Sequence, residues 1–524
     1  MSAYDDVTDR IHGPSGVAFR YGRDQARALS PMAPGTADFV LMNSDLVLLP
    51  ENTGSPLYGY LRPGVEFTLT ATLPEAGILS DPALVLPFTL PGVISRGPAG
   101  LFTGYVGDDF EVLPDIEDRK VRVSCTDALG KLQGLKVSTD VWQGLTSGQA
   151  LGVLLDAIGW PTTKRDVDPG SSVFPWWWVS GGDAYDEAMK IVDSEGPTAL
   201  LTVDSDGNMV FRGRHHRATR PASTTAQATW SGDLEPAMSP PVGYDHGWRD
   251  IVNDVTFDVP LYSSTGVPEQ VWNAQDTIGI PAGQTVAVTA SASGPFYGAI
   301  TPVAGTDFTL DSGNVSVTLS RTSGTSVTIS ITALAGLAAS VTGLQLRACA
   351  LSSSVSVQVH AEDAGSIGSA ENPRYGRRSW PDARQPVWAS LPDVKGIAQM
   401  ILGQRAERLP TLTVTFSGGV TARLVEQLTR DLSDLVHIDD GVSYTDADFF
   451  VEQISHQTDG VAHKTTFGCE KAPGQVADVF ILGSATNGVL GQNRLGRRGI
   501  ADPDTVFVLG SATNGVLGAG ILAT

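Results

Sequence analysis

The chain has 524 residues, with 35 Lys and Arg against 57 Asp and Glu, for a formal net charge of −22. At roughly 150 residues per domain this length predicts three or four domains. The balance of 41% hydrophobic and 18% charged residues excludes a disordered chain. No apolar run reaches the ~18 residues of a membrane span. The acidic, polar start MSAYDDVTDR predicts no signal peptide, and the acidity disfavours a protein that grips nucleic acid by its phosphates. Cys125, Cys349 and Cys469 lie far apart, which argues against a disulfide scaffold and fits a reducing compartment of synthesis.

Residues 1–140 read as short strands between turns. Val17 to Tyr21, Ala37 to Met42 and Phe67 to Leu73 are strand-like. Leu101 to Val112 and Lys120 to Cys125 predict a hairpin through Pro114 to Arg119. From 141 to 217 the pattern becomes α+β. Ser147 is placed to cap a helix carrying Leu151, Leu154, Leu155 and Ile158, stopped by Gly159 and Pro161. Asp183 is placed to cap a second helix, and Asp206-Gly207 turns a hairpin between Leu200–Val203 and Met209–Arg212.

Strand character returns over 218–265, at Ile251 to Val259. Residues 266–365 are rich in Ser, Thr, Val and Gly, and Val286 to Thr289, Val315 to Leu319 and Val327 to Ile331 alternate with period two, which predicts a β-sandwich. In 366–474 a helix is expected with Val394, Ile397, Ala398, Ile401 and Leu402 on one face. Strands follow at Leu412–Phe416, Asp434–Ile438, Phe449–Ser455 and His463–Cys469. Residues 475–524 hold an internal repeat: Phe480 to Gly491 recurs as Phe507 to Gly518 at an offset of 27, with eleven of twelve positions the same. Each copy joins an apolar strand to an Asn-Gly turn. Because an isolated hairpin is unstable in water, both arms are expected to complete a sheet on another surface through Phe480, Ile481, Leu482, Leu490, Phe507, Val508, Leu509 and Leu517.

Catalytic motifs are absent: no H-E-x-x-H, P-loop, G-x-S-x-G or C-x-x-C occurs, so the chain is read as no enzyme, with neither metal nor cofactor. Asp204 to Asn208 resembles the start of a calcium loop but lacks its distal Glu, and turn chemistry is preferred. His456 and His463 could face each other across a hairpin, too few ligands for a metal site. The basic run around His215-His216, with Arg212, Arg214, Arg217 and Arg220, reads as a solvated face or intersubunit ion pairs, with nucleic-acid contact as the alternative. Trp176, Trp177 and Trp178 cannot all point inward on a strand. A domain or subunit contact is preferred there, with glycan stacking as the alternative.

Several motifs in order resemble minor tail proteins of long-tailed actinobacteriophages: Tyr21-Gly-Arg-Asp24, Ala33-Pro-Gly35, Pro50-Glu-Asn52, Ser55-Pro-Leu-Tyr58, Arg62-Pro-Gly64, Leu101-Phe-Thr-Gly104 and Asp118 to Ser124. Asp250 to Val255, Arg374-Tyr375-Gly376-Arg377, Phe450 to His456 and the terminal Leu-Gly repeats are also similar to landmarks of that family. The resemblance implies a tail-tip baseplate hub, a mainly β (α+β overall) chain with two tube-forming β-barrel or sheet domains, an inserted small α+β domain and an inserted β-sandwich. Residues 1–140, rejoined over 218–265, would be the first tube half and 366–474 the second. Residues 141–217 and 266–365 would be insertions.

It further implies a homo-oligomer, a trimer favoured, that continues the sixfold tail tube. Its partners would be a distal tail protein, a tape measure protein and other minor tail proteins. Genomic DNA would pass only in transit, through an acidic lumen. The location implied is the virion tail tip, after assembly in the host bacterial cytoplasm. The alternative is a host-receptor or glycan-binding protein acting through the β-sandwich.

Overall fold

The computed structural model describes residues 6–60, 62–71, 99–108, 111–113, 119–334, 336–369, 374–381, 384–418, 421–443, 445–459 and 462–473. The repeated arms with Phe480, Ile481, Leu482, Leu490, Phe507, Val508, Leu509 and Leu517 lie outside them, as does the expected turn at 114–118. Strands hold 45% of the structure and helices 18%, so the fold is mainly β, and no barrel closes among the described residues.

A twelve-stranded sheet organises the chain. Its main path runs Ser239–Asp245, Thr411–Ser417, His463–Lys471, Thr445–Thr458, Val17–Arg23, Met32–Met42, Lys120–Thr126, Ala99–Val106, Glu66–Ala71. Thr229–Ser231 joins through Leu435–Asp440, which pairs with Thr445–Thr458, and Glu111–Leu113 joins Lys120–Thr126. The strands alternate as a half-buried sheet must. Val17, Phe19, Phe39, Leu41, Val121 and Val123 are buried, while Ala18, Arg20, Asp38 and Arg122 face out.

The strands of 17–126 and those of 411–471 meet along one antiparallel seam, with Val17 opposite Thr458, Phe19 opposite His456 and Gly22 opposite Gln453. Chain ends far apart in sequence are thus neighbours in one sheet.

Two pairings differ from the sequence expectation. Ala99–Val106 pairs mainly with Glu66–Ala71 and touches Lys120–Thr126 only at Tyr105 and Val106. The hairpin with Lys120–Thr126 is made instead by Glu111–Leu113, because the strand breaks at Gly107, whose amide bonds Ser124 O. The segment returning near 220–245 also joins the far side of the seam: Thr229–Ser231 lies on Leu435–Asp440 and Ser239–Asp245 on Thr411–Ser417. It extends the second half of the sheet, where Trp230 fills a core with Phe416 and Phe467, and not the first.

The α+β unit packs helices Ser147–Ala157 and Ala184–Glu195 over Leu200–Val203, Met209–Arg212 and Arg165–Val167. Thr146, one residue before the expected cap, closes a capping box with Gln149. Ser147 is buried instead and donates to Glu195 Oε2 at 2.8 Å. Leu151, Leu154 and Leu155 are fully buried. Asp183 caps the second helix, accepting from the amides of Tyr185 and Asp186.

The inserted β unit has three antiparallel three-stranded sheets around one core that includes Ile329, Ile331, Val341 and Leu346. The chain enters by Asp254–Ser263 and leaves by Ser352–Glu362, which pair antiparallel as a stem. Val255, Phe257 and Val259 of this stem pack on Val394, Ile397 and Ile401 of the helix Leu391–Arg405.

Candidate functional site

The seam is locked by a buried charge node. Arg23 Nε lies 2.9 Å from Glu452 Oε2, and each side chain is 2% exposed. Arg217 Nη2 reaches the other oxygen of Glu452 at 2.6 Å, and its guanidinium lies 4.4 Å over the Phe450 ring. Arg23 also donates to Pro197 O and Ala199 O of the α+β unit. Burial lowers Arg23 to about 10 while Glu452 holds it charged. One carboxylate therefore fastens the first strand, the α+β unit and the strand Thr445–Thr458 to each other.

Most of the basic run belongs to this interior, while His215 and Arg220 stay exposed. Arg212 pairs with Asp166 and Asp168, Arg214 with Glu195 and Arg217 with Glu452. His216 is buried, hydrogen-bonded to Ser433 Oγ at 2.9 Å, and burial lowers it to about 3. The acids that claim these arginines come from distant segments of the same chain.

The tryptophan triplet divides by strand alternation. Trp177 is fully buried in the α+β core, and Trp176 and Trp178 are half-buried. Trp176 packs on Tyr297 of the inserted β unit at 5.1 Å. Trp178 meets Tyr262 of the stem edge-on at 4.9 Å and Trp388 at 5.1 Å. Gly324 leaves room for Trp178: a Cβ there would sit 2.5 Å from its ring. Arg321 Nε to Asp140 Oδ1, at 3.0 Å, strengthens the same contact.

Asp204 Oδ1 accepts from the amides of Asp206 and Asn208, so this carboxylate closes a turn. His456 and His463 do meet, Nδ1 to Nε2 at 3.1 Å, with Thr465 Oγ1 3.0 Å from His456 Nδ1. Burial lowers His456 to about 3 and lowers His463 as well, so burial favours two neutral rings, one donating its N–H to the other. Among the described residues, Asp254, His360 and Glu362 are close enough to share an ion. Arg377 already spans them, Nη1 to Asp254 at 2.6 Å and Nη2 to Glu362 at 2.7 Å. All three cysteines are buried and unpaired, and burial raises the Cys125 thiol to about 12.

An open cavity of about 350 Å³ lies beside the sheet end, lined by Tyr244, Arg408, Pro410, Asp446, Phe449 and Lys471 among others; its lining holds no His or Cys.

Among the described residues, one face of the sheet is open across the seam. Register places Thr413, Thr415, Lys464, Thr466, Gln453, Ser455, Gln457, Ala18, Arg20, Thr36, Asp38, Arg122 and Ser124 on it. This central band carries Arg20, Arg122 and Lys464 beside Asp38. The acid of this face gathers at its end, where His437 lies 3.1 Å from Asp446 and 3.0 Å from Asp448.

No protein-family model matches the sequence, and no curated protein does either. Among solved structures the chain is similar to a tail protein from Neisseria meningitidis MC58, at 13% identity and a TM-score of 0.46, over 88% of this chain and 95% of that one. It is similar to the 43 kDa tail protein of prophage MuSo2 from Shewanella oneidensis at 13% identity and a TM-score of 0.43, over 87% and 93%. A type VI secretion component from E. coli follows at 7% identity and a TM-score of 0.35, over 87% and 73%.

Proposed function

We propose that this chain is a structural subunit of a bacteriophage tail tip, a baseplate hub of the kind found in long-tailed actinobacteriophages. The observation that carries the reading is the seam. Two groups of antiparallel strands, drawn from opposite ends of the chain, form one continuous sheet with one face packed and the other polar. Three such chains would supply six β units and continue a sixfold tube. On this reading 1–140 and 366–474 are the two tube halves, 141–217 and 266–365 are insertions, and 218–265 returns to the sheet. The arms in 475–524, with the apolar residues Phe480 to Leu482 and Phe507 to Leu509, would hold neighbouring subunits such as a distal tail protein, a tape measure protein or other minor tail proteins.

The open face lines the tube in this reading. Its central band sets Thr, Ser and Gln side chains among Arg20, Arg122, Lys464 and Asp38, so the repulsion that would keep passing DNA from sticking comes in this reading from the acids at the end of the face, Asp446 and Asp448. The net charge of −22 then disfavours non-specific clumping of subunits in the host cytoplasm and leaves association to specific contacts.

Imaging of intact tails carrying this protein tests the proposal. Threefold density at the end of the tube, with the seam facing the channel, is expected. A peripheral fibre position, together with saturable glycan binding by the full chain, would favour receptor binding through the inserted β unit instead.

A further inference from the structure

A cluster of arginines and aromatic rings is exposed beside one edge of the large sheet. Trp248 is 47% exposed and Tyr244, on the edge strand Ser239–Asp245, 37%. Arg408 lies 5.1 Å over the Trp248 ring, and Tyr375 lies 5.9 Å from it. Arg378 is held by carbonyls, Nη1 to Trp248 O at 2.9 Å and Nε to Tyr375 O at 3.3 Å. Among the described residues no carboxylate pairs with Arg249, Arg378 or Arg408, all exposed. The neighbouring Arg374 does have one, Glu407 at 2.8 Å. In a chain of net charge −22, Arg408 stacked on a ring and Arg378 held by carbonyls, with exposed Arg249 beside Trp248 in sequence, leave carboxylate-binding edges open. Trp, Tyr and Arg are also the side chains that most often anchor protein interfaces.

The edge strand itself is poorly suited to plain strand addition. Pro240 and Pro241 carry no N–H, so docking here must lean on side chains. The opposite edge of the sheet ends, among the described residues, at Glu66–Ala71, and the turns that lead into it carry exposed Glu51, Tyr58 (51%), Tyr60 (71%) and Arg62.

We infer that the Arg–aromatic corner binds a second copy of this chain, at the opposite sheet edge around Tyr58, Tyr60 and Glu51. The inference rests on the reading of the chain as a repeated subunit and adds to it the surface that joins the copies. Because the two patches differ, the contact is head-to-tail and closes a ring when the rotation allows. Two copies of like net charge approach most easily where one offers uncompensated positive charge, so the corner sets the orientation.

Mass measurement of the full chain across concentration and salt tests this. Wild type is expected to associate, and Arg249→Glu with Arg408→Glu to weaken association about tenfold or more at low salt. Tyr58→Ser with Tyr60→Ser should weaken it similarly, and Arg249→Ala with Arg408→Ala less. All these residues are exposed, so melting should stay at the wild-type value.

The decisive arm mixes the charge-reversed protein with the Tyr variant. Each retains one intact patch, so dimers should reappear and larger species should not. Wild type that stays monomeric, variants that match wild type, or a mixture that fails to give dimers would each overturn the inference. So would saturable binding of heparin or an oligonucleotide at this corner with the mass unchanged. Tails imaged without this protein at the tip would instead sink the hub reading and leave the mass result standing.

Discussion

Phe19 and His456 stack across the seam with ring centroids 4.4 Å apart and planes 12° from parallel. The imidazole is held between Phe19 and His463, and its proton chemistry follows from that burial. His463 lies 5.3 Å further on. Unfolded, a histidine takes its proton near 6.5, whereas burial lowers folded His456 to about 3. The neutral ring's contribution is therefore fully present above about pH 6.5 and is lost as pH falls from there toward 3.

His456→Gln should therefore lose less stability than wild type between pH 7 and pH 5. The difference expected is about 2 kcal/mol, from 1.36 kcal/mol per pH unit. Asp127 and Asp434, both raised to about 7 by burial, act in the opposite sense: their contribution is present below about pH 4 and lost as pH rises toward 7. They are common to both proteins, so only the difference between denaturation curves matters. Equal losses in wild type and variant would refute this account of the seam.

Glu452→Ala leaves Arg23 and Arg217 buried without their shared carboxylate. A cost of about 3–5 kcal/mol is expected. Glu407→Ala, which breaks the exposed pair with Arg374, should cost about 0–1 kcal/mol. Urea titration of both variants gives the comparison, and similar midpoints would show that the node contributes little.

Gly324→Ala brings a methyl group within 2.5 Å of the Trp178 ring and should loosen the inserted β unit from the α+β unit. The two units are expected to stay folded while protease cleaves faster between them. Trp177→Ala acts differently, since it empties the α+β core and should cost about 3–5 kcal/mol. Unchanged digestion of the Gly324 variant would mean that the contact tolerates the extra carbon.

Truncation after Pro473 removes both apolar repeats. The shortened chain should melt with the full chain, because among the described residues the sheet and its insertions already have cores of their own. Its incorporation into tails should fall sharply. A large drop in melting temperature would show instead that the arms complete the sheet of their own chain.

Strand and helix positions were largely legible where alternation or a cap marks them, as at Thr285–Ser291, His463–Lys471 and the helix after Asp183. Partners were not. Every strand of the seam alternates in the same way, so nothing local says that Val17–Arg23 pairs with Thr445–Thr458. The basic run looked exposed because Glu195 and Glu452, which bury it, lie elsewhere in the chain. The helix Thr421–Thr429 escaped notice for a different reason. Its buried positions are the polar Glu426 and Gln427, which serve Trp230 Nε1 and the carbonyls of Phe416 and His463, while its apolar Leu424, Val425 and Leu428 are only half-buried. Of the candidate contacts, the tryptophan triplet was legible as a conflict between side chains and strand geometry. The Arg–aromatic corner was not, because Trp248, Tyr375 and Arg408 come from three separate segments.

The seam also sets a clock on synthesis. Val17 cannot meet Thr458 until about 440 more residues have been made. At roughly 5–20 residues per second that wait is on the order of 20–90 s. Through that interval Val17–Arg23 has one pairing edge unfilled on the ribosome, and closing it late is the slow, non-local kind of step. A nascent chain with such an edge depends on chaperones or on the strand Met32–Met42 alone to keep it from pairing wrongly, and slowing translation late in the message should raise the fraction lost to aggregation.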